Sequence, residues 1–175
     1  MRQVNGDQLV GRIVECEAYC GPTDLASHAR AGLTRRTAPM YGPVGHAYVY
    51  LVYGMHHCLN VVARSEELVA GAVLLRALEP VAGIELMRVR RGRTNDPDSR
   101  LCSGPARLTQ ALAIDRRLDG HDLTAGVDLW LSAGEGLRQT ESVAVGPRVG
   151  VAYAGPEWAG RPWRFRLDGN RSVSR

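Results

Sequence analysis

Strand-patterned stretches, packed into the first 80 positions and separated by glycine-marked turns, limit what this chain can fold into more than any other feature. Residues 9–19 alternate, placing Val14, Cys16 and Ala18 on one face and Ile13, Glu15, Glu17 and Tyr19 on the other. Residues 46–63 read as two strands folded about Tyr53-Gly54-Met55. The apolar run Ala72-Val-Leu-Leu-Arg-Ala-Leu78 reads as a further, largely buried strand. Between the first two stretches, Gly21-Pro22-Thr23-Asp24 turns the chain, and a polar, Arg-rich loop runs to about Pro43.

Helical spacing enters later. Pro80 stands where a helix over 81–91 would begin, carrying arginines at 88, 90 and 91. Ser103 is the expected N-cap of a second helix, with Pro105 in its first turn and Leu108, Ala111 and Leu112 as its apolar stripe. From 127 onward, short strand-like runs alternate with Gly/Pro turns. No repeat, low-complexity tract or long linker divides the chain. The expectation is one α+β domain over residues 1–175, built on a mainly antiparallel sheet.

Composition narrows the function. A chain of 175 residues with 45% hydrophobic content buries a substantial core. No apolar run approaches the roughly 18 residues of a membrane span. Met1-Arg2-Gln3-Val4-Asn5 is followed by no apolar stretch of a signal peptide, so a cytoplasmic, nucleoid-associated location is expected. The net charge of +4 permits a polyanionic partner. All 22 basic residues are arginine. Genomic base composition accounts for that bias, yet it has a chemical consequence. With no lysine amine to form a Schiff base at a sugar carbon, cleavage of a glycosidic bond would use water. Cys16, Cys20, Cys58 and Cys102 form no C-x-x-C, and with His56 and His57 they match no common zinc spacing. Reduced thiols, no metal and no organic cofactor are expected.

Five of the six tyrosines fall at positions 19, 41, 48, 50 and 53. Tyr48 and Tyr50 share a strand face, and a core-facing ladder is the plain reading of them. A tyrosine at an exposed hairpin tip, as Tyr53 would be, suits stacking on bases or wedging between them. Glu15 and Glu17 place carboxylates roughly 6–7 Å apart. That spacing fits an inverting carboxylate pair, a single general base with a structural neighbour, or a solvated strand edge. His28 is a loop histidine of the kind usually found at the surface. Asn60, on an apolar strand, needs partners if buried. Arg76 is expensive inside its apolar strand unless paired, and Glu15 or Glu17 is the available partner.

Taken together, Arg12-Ile-Val-Glu-Cys-Glu-Ala-Tyr-Cys-Gly-Pro, His28, and Tyr48-Val-Tyr-Leu-Val-Tyr-Gly-Met resemble the alkyladenine (3-methyladenine) DNA glycosylase family. The match continues through Leu74-Leu-Arg-Ala-Leu-Glu-Pro, Leu101-Cys-Ser-Gly-Pro-Ala-Arg-Leu-Thr-Gln-Ala-Leu-Ala-Ile, Pro147-Arg-Val-Gly-Val and Trp163-Arg-Phe, in order along nearly the whole chain. The resemblance implies a curved sheet with flanking helices and a protruding hairpin. It implies a monomeric, monofunctional DNA glycosylase of base excision repair that acts on flipped alkylated or deaminated purines such as 3-methyladenine, 7-methylguanine and hypoxanthine. By the same resemblance Glu17 deprotonates the attacking water and Arg76 helps to hold that water. Tyr19, His28 and Tyr50 would sandwich the base, Leu74 would pack beside it, and Asn60 would crowd the 2-amino group of a normal guanine. Tyr53 would fill the gap in the duplex, with Met55 beside it. Glu15 is left a structural role. Family members usually begin with a further helix and strand ahead of the stretch matching Val4, and the expectation here is either a truncated chain or a misassigned start.

Phosphate contacts are expected from Arg88, Arg90, Arg91, Arg93 and Arg107, with the helix start at Ser103-Gly104 as an anion site. For any one of these arginines a solvated basic face is the plainer reading. Two other classes compete with the glycosylase: a non-catalytic module that recognises damaged duplex DNA, and a carbohydrate hydrolase using Glu15 with Glu17. The second leaves the hairpin tyrosines without a purpose.

Overall fold

The computed structural model describes residues 1–174. Its axis is the 13-residue strand β2 (Asp7–Tyr19), which follows a short first strand, β1 (Arg2–Val4). A hairpin of β3 (Ala47–Val52) and β4 (His56–Val62) leads into β5 (Ala72–Ala82). Two short strands near the end, β6 (Val143–Gly146) and β7 (Arg164–Leu167), complete a seven-stranded sheet of order β3-β4-β5-β2-β7-β6, with β1 paired to the start of β2. Every pairing is antiparallel. The helices are short: α1 (Ala38–Tyr41), α2 (Ile84–Arg91), α3 (Asp98–Leu101), α4 (Pro105–Ala111) and α5 (Gly155–Gly160). The α+β reading, the mainly antiparallel sheet and the hairpin are all borne out.

Alternation along β2 is not regular, and this matters for the site. Ile13 lies opposite Leu78 and Glu15 opposite Ala77, so Val14 is an extra residue on β2; Cys16 then lies opposite Leu75, so Arg76 is an extra residue on β5. Two offsetting bulges thus flank Glu15. The expected sharing of a face by Val14 and Cys16 is therefore corrected. Val14 joins Ala77, Leu167 and Val173 in one cluster, whereas Cys16 packs against the main core. Bulges re-aim side chains in this way and concentrate beside functional sites.

The main core lies between the sheet and the helices that follow β5. It gathers Leu9, Val49, Leu59, Leu75 and Leu78 with Met87 of α2 and Leu108, Ala111 and Leu112 of the α4 segment. Each fully buried large side chain there contributes about 1.5–3 kcal/mol of transfer free energy. The opposite face is covered by the segment between β2 and β3. Ala29 and Met40 from that segment pack on Tyr48, Val62 and Ala72. The loop expected to be polar thus carries buried residues, including Asp24, Ser27 and Thr37.

Two boundaries differ from expectation. Pro80 does not open a helix; β5 runs on to Ala82, with Pro80 opposite Gly11 next to another register shift, where a strand tolerates the missing N–H. The helix begins instead after Gly83, whose φ of 72° places it in the left-handed region. A Cβ there would meet the Gln8 carbonyl oxygen at 2.8 Å, so only glycine fits. Ser103 does not cap α4, because the residue at that position is Gly104 and no side chain caps the helix.

Candidate active site

Glu17 sits deep in β2 with no solvent exposure. Its Oε1 accepts the backbone N–H of Val149 at 2.7 Å, and its Oε2 accepts the Tyr19 hydroxyl at 2.9 Å and Arg76 Nη1 at 3.4 Å. Three donors from three separate segments fix the orientation of one carboxylate. Arg76 bridges the two glutamates, because its Nε also reaches Glu15 Oε1 at 3.2 Å. Glu15 is buried as well and is closed off from other chemistry. Arg164 Nε reaches it at 2.6 Å, and the Ser174 backbone N–H and hydroxyl reach it at 2.7 and 2.9 Å. Of the three readings left open for this pair, the solvated edge is excluded, since both carboxylates are buried in a network of arginines.

Beside this network opens a cavity of about 460 Å³ whose walls include Tyr19, His28, Tyr50, Asn60, Leu74 and Arg76. These six residues, expected together, come from β2, the loop before α1, β3, β4 and β5. The His28 ring stands edge-on to Tyr50, with centroids 4.5 Å apart and planes at 78°. Its Nδ1 shares a 2.9 Å hydrogen bond with the hydroxyl of Tyr48, a buried residue that also lines the cavity. Burial, assisted by Arg36 and Arg30, lowers His28 to about 4, so the ring is uncharged at neutral pH. Burial also pushes the hydroxyls of Tyr19 and Tyr50 well above the usual phenol range. Asn60 is held by the bond from its Nδ2 to the Tyr48 carbonyl at 2.9 Å. The walls therefore combine aromatic rings and neutral polar groups with two arginines, Arg76 and Arg36, the second lying 5.5 Å from the Tyr50 ring centre.

The hairpin tip stands at the mouth. Tyr53 lines the cavity yet is 89% exposed, and Met55 beside it is 70% exposed. Both turn residues have positive φ, 50° at Tyr53 and 70° at Gly54. That conformation suits the tight turn but is strained for a tyrosine, so the fold holds an exposed aromatic ring in an unfavourable backbone state.

The expected phosphate contacts divide. Arg88 pairs with Glu85 and Asp98 and donates to the Thr94 and Asp96 carbonyls, which ties it to the turn after α2. Arg91 donates to the Gln110 side chain, and Arg90 reaches the Ala111 carbonyl at 3.5 Å. Arg107 stays at the exposed surface, donating to Ser103 Oγ at 2.8 Å. Gly104 leads into Pro105, which reaches the cavity wall. Among the described residues, no group of three His, Cys, Asp or Glu side chains is gathered as a metal ion would require, and no helix is long and apolar enough to cross a membrane.

Sequence reasoning missed the partners that hold the site. Val149 acts through its backbone, and Ser174 arrives from 159 residues away. Arg148 and Asp24 form an ion pair with no side-chain exposure on either partner. The one available signal was the kind that singled out Arg76: an arginine set among apolar neighbours, here Pro147 and Val149.

Known proteins align with this architecture. The family model described as Methylpurine-DNA glycosylase (MPG) matches residues 1–171. A protein of Carboxydothermus hydrogenoformans, provisionally named a 3-methyladenine DNA glycosylase, is 48% identical over all of this chain and 87% of its own length. One from Anaeromyxobacter sp., with the same provisional name, is 52% identical over 97% of this chain and 78% of its own. The DNA-3-methyladenine glycosylase of Homo sapiens is 44% identical over 99% of this chain, which spans 59% of the human protein. With the family model covering nearly every residue, the chain belongs to the methylpurine-DNA glycosylase family.

Proposed function

We propose that this protein releases alkylated or deaminated purines from duplex DNA by hydrolysis of the N-glycosidic bond, with water activated by Glu17. Family membership makes it a DNA glycosylase, a hydrolase of N-glycosyl bonds that serves base excision repair. The observation that carries the finer reading is the position of Glu17: a buried carboxylate oriented by three donors, with Tyr19 and Arg76 among the residues lining a cavity of aromatic side chains. A base inside a duplex is out of reach of such a cavity, so it must swing out at a cost of a few kcal/mol, smallest for damaged or mispaired bases. Tyr53 offsets part of that cost by stacking in the gap.

The walls suit the cargo. A purine alkylated at a ring nitrogen carries positive charge, and electron-rich tyrosine faces attract it by about 0.5–2 kcal/mol. Neutral His28 adds no opposing charge. Such a base leaves readily, so one carboxylate and one positioned water suffice, with the Glu17 anion also stabilising the developing positive charge on the sugar. Arg76, fixed by both glutamates, holds the water against Glu17. The protein acts as a monomer on duplex DNA, and arginine contacts to phosphate make its affinity fall steeply with salt. Glu17→Gln tests this reading: binding to lesion-bearing duplex should persist while base release collapses.

A further inference from the structure

The buried pair Arg148–Asp24 holds the walls of this site from behind. Arg148 Nη1 and Nη2 reach the two Asp24 oxygens at 2.6 and 2.9 Å. The same guanidinium donates to the Ala18 carbonyl at 2.9 Å and to the Trp158 carbonyl at 3.2 Å. It also lies 4.7 Å from the ring centre of Tyr19 and 4.9 Å from that of Trp163. Asp24, for its part, accepts the backbone N–H groups of Cys20 and Ala26 at 3.1 and 3.0 Å. One ion pair therefore joins the end of β2, the turn that follows it, α5 and the segment 147–151.

Neither residue lines the cavity, and Tyr19 does. The guanidinium thus backs Tyr19 from outside, leaving the ring free to meet a base. The next residue along the chain is Val149, whose N–H holds Glu17 Oε1 at 2.7 Å. A fully buried ion pair is a poor source of stability compared with apolar packing, because desolvation of both charges offsets their attraction. What the planar, bidentate fork supplies is fixed geometry.

We infer that Arg148, locked by Asp24, is a positioning residue for base release: it sets Tyr19 against the base and the Val149 N–H against Glu17. The inference rests on the reading of Glu17 as the base that activates water. Removing the fork leaves both groups in place chemically but lets them drift, and misplacement by about 1 Å at a reacting centre slows chemistry by as much as about 100-fold. Duplex binding, carried mainly by phosphate contacts and the hairpin tip, changes little.

The test is Arg148→Lys, which keeps a charge for Asp24 but loses the fork that also spans Ala18 and Trp158. Single-turnover release of hypoxanthine from duplex DNA is measured at saturating enzyme, with the half-saturating enzyme concentration and the folded fraction recorded alongside. Expected is a release rate at least about tenfold lower per folded molecule, with half-saturation unchanged, the pattern of an interaction lost only in the transition state. Should the lysine variant not fold, the charge-free double variant Asp24→Asn/Arg148→Met is used and scored the same way. A wild-type rate per folded molecule, or a loss that appears only in half-saturation, overturns the inference. Glu17→Gln is run beside them. If it releases base at the wild-type rate, the reading of Glu17 fails instead; if it is inactive while Arg148→Lys is unimpaired, only the positioning role falls.

Discussion

Replacing Tyr53 by asparagine separates what this side chain does for the fold from what it does for DNA. The residue sits at φ 50° with 89% of its surface exposed. A non-glycine residue there carries strain of about 1 kcal/mol. Asparagine relieves part of it by bonding to its own backbone. Few contacts are lost, because the ring stands in solvent. The net effect is a gain of up to about 1 kcal/mol, equivalent to a rise in Tm of about 2–4 °C for a chain of this size. Function moves the opposite way. Stacking of a base on an aromatic ring is worth about 1–3 kcal/mol, so losing the ring lowers the extruded population by about 5- to 150-fold. The assay is single-turnover release of hypoxanthine from duplex and from single-stranded DNA, beside a thermal melt. Expected are an unchanged or higher Tm, slowed release from duplex and preserved release from the single strand. A lower Tm with equal loss on both substrates would show that Tyr53 serves the fold and would refute the wedge role.

Two further outcomes follow from buried groups. Glu15→Gln removes the charge that Arg76, Arg164 and Ser174 share; Arg76 keeps Glu17, but Arg164 loses its carboxylate partner, and breaking such a buried pair costs about 3–5 kcal/mol. The melt should fall by at least about 6 °C; an unchanged melt would remove Glu15 from its structural role. His28 takes up its proton at about 4 in the fold against 6.5 when free. On acidification the unfolded chain therefore gains this proton first, so the contribution of His28 is whole above 6.5 and drains away as the pH falls toward 4. Denaturant midpoints measured across that window should decline, and less steeply in His28→Gln; parallel profiles would contradict the burial of the ring.

Alternation made β2 legible, the turn at Tyr53-Gly54-Met55 marked the β3–β4 hairpin, and an apolar run marked β5, in which Leu74 to Leu78 are all buried. The pattern could not show the extra residues Val14 and Arg76, since a bulge leaves residue types unchanged and shifts only their phase. Pro80 looked like a helix start because proline is common in a first turn, yet a register shift beside it serves a strand equally well. The helix α5, only six residues long and opened by Gly155-Pro156, gave no periodicity to detect. At the site, Glu17, Arg76 and the tyrosines were legible because charge or aromatic rings stood out against their strands. The resemblance, not the spacing, reduced two carboxylates to one catalytic base, and the network around Glu15 supplies a physical reason for it. Asp24 and Arg148 meet across 124 residues, and no local pattern announces a partner that distant.

The most direct measurement of the central claim is single-turnover base release by Glu17→Gln on duplexes carrying 7-methylguanine and hypoxanthine, with binding to the same duplexes measured in parallel. The amide keeps the size of the side chain and removes the base, so release should fall by about 10²- to 10⁴-fold while binding is retained. Release at the wild-type rate from either duplex would contradict the assignment of Glu17 as the residue that activates water.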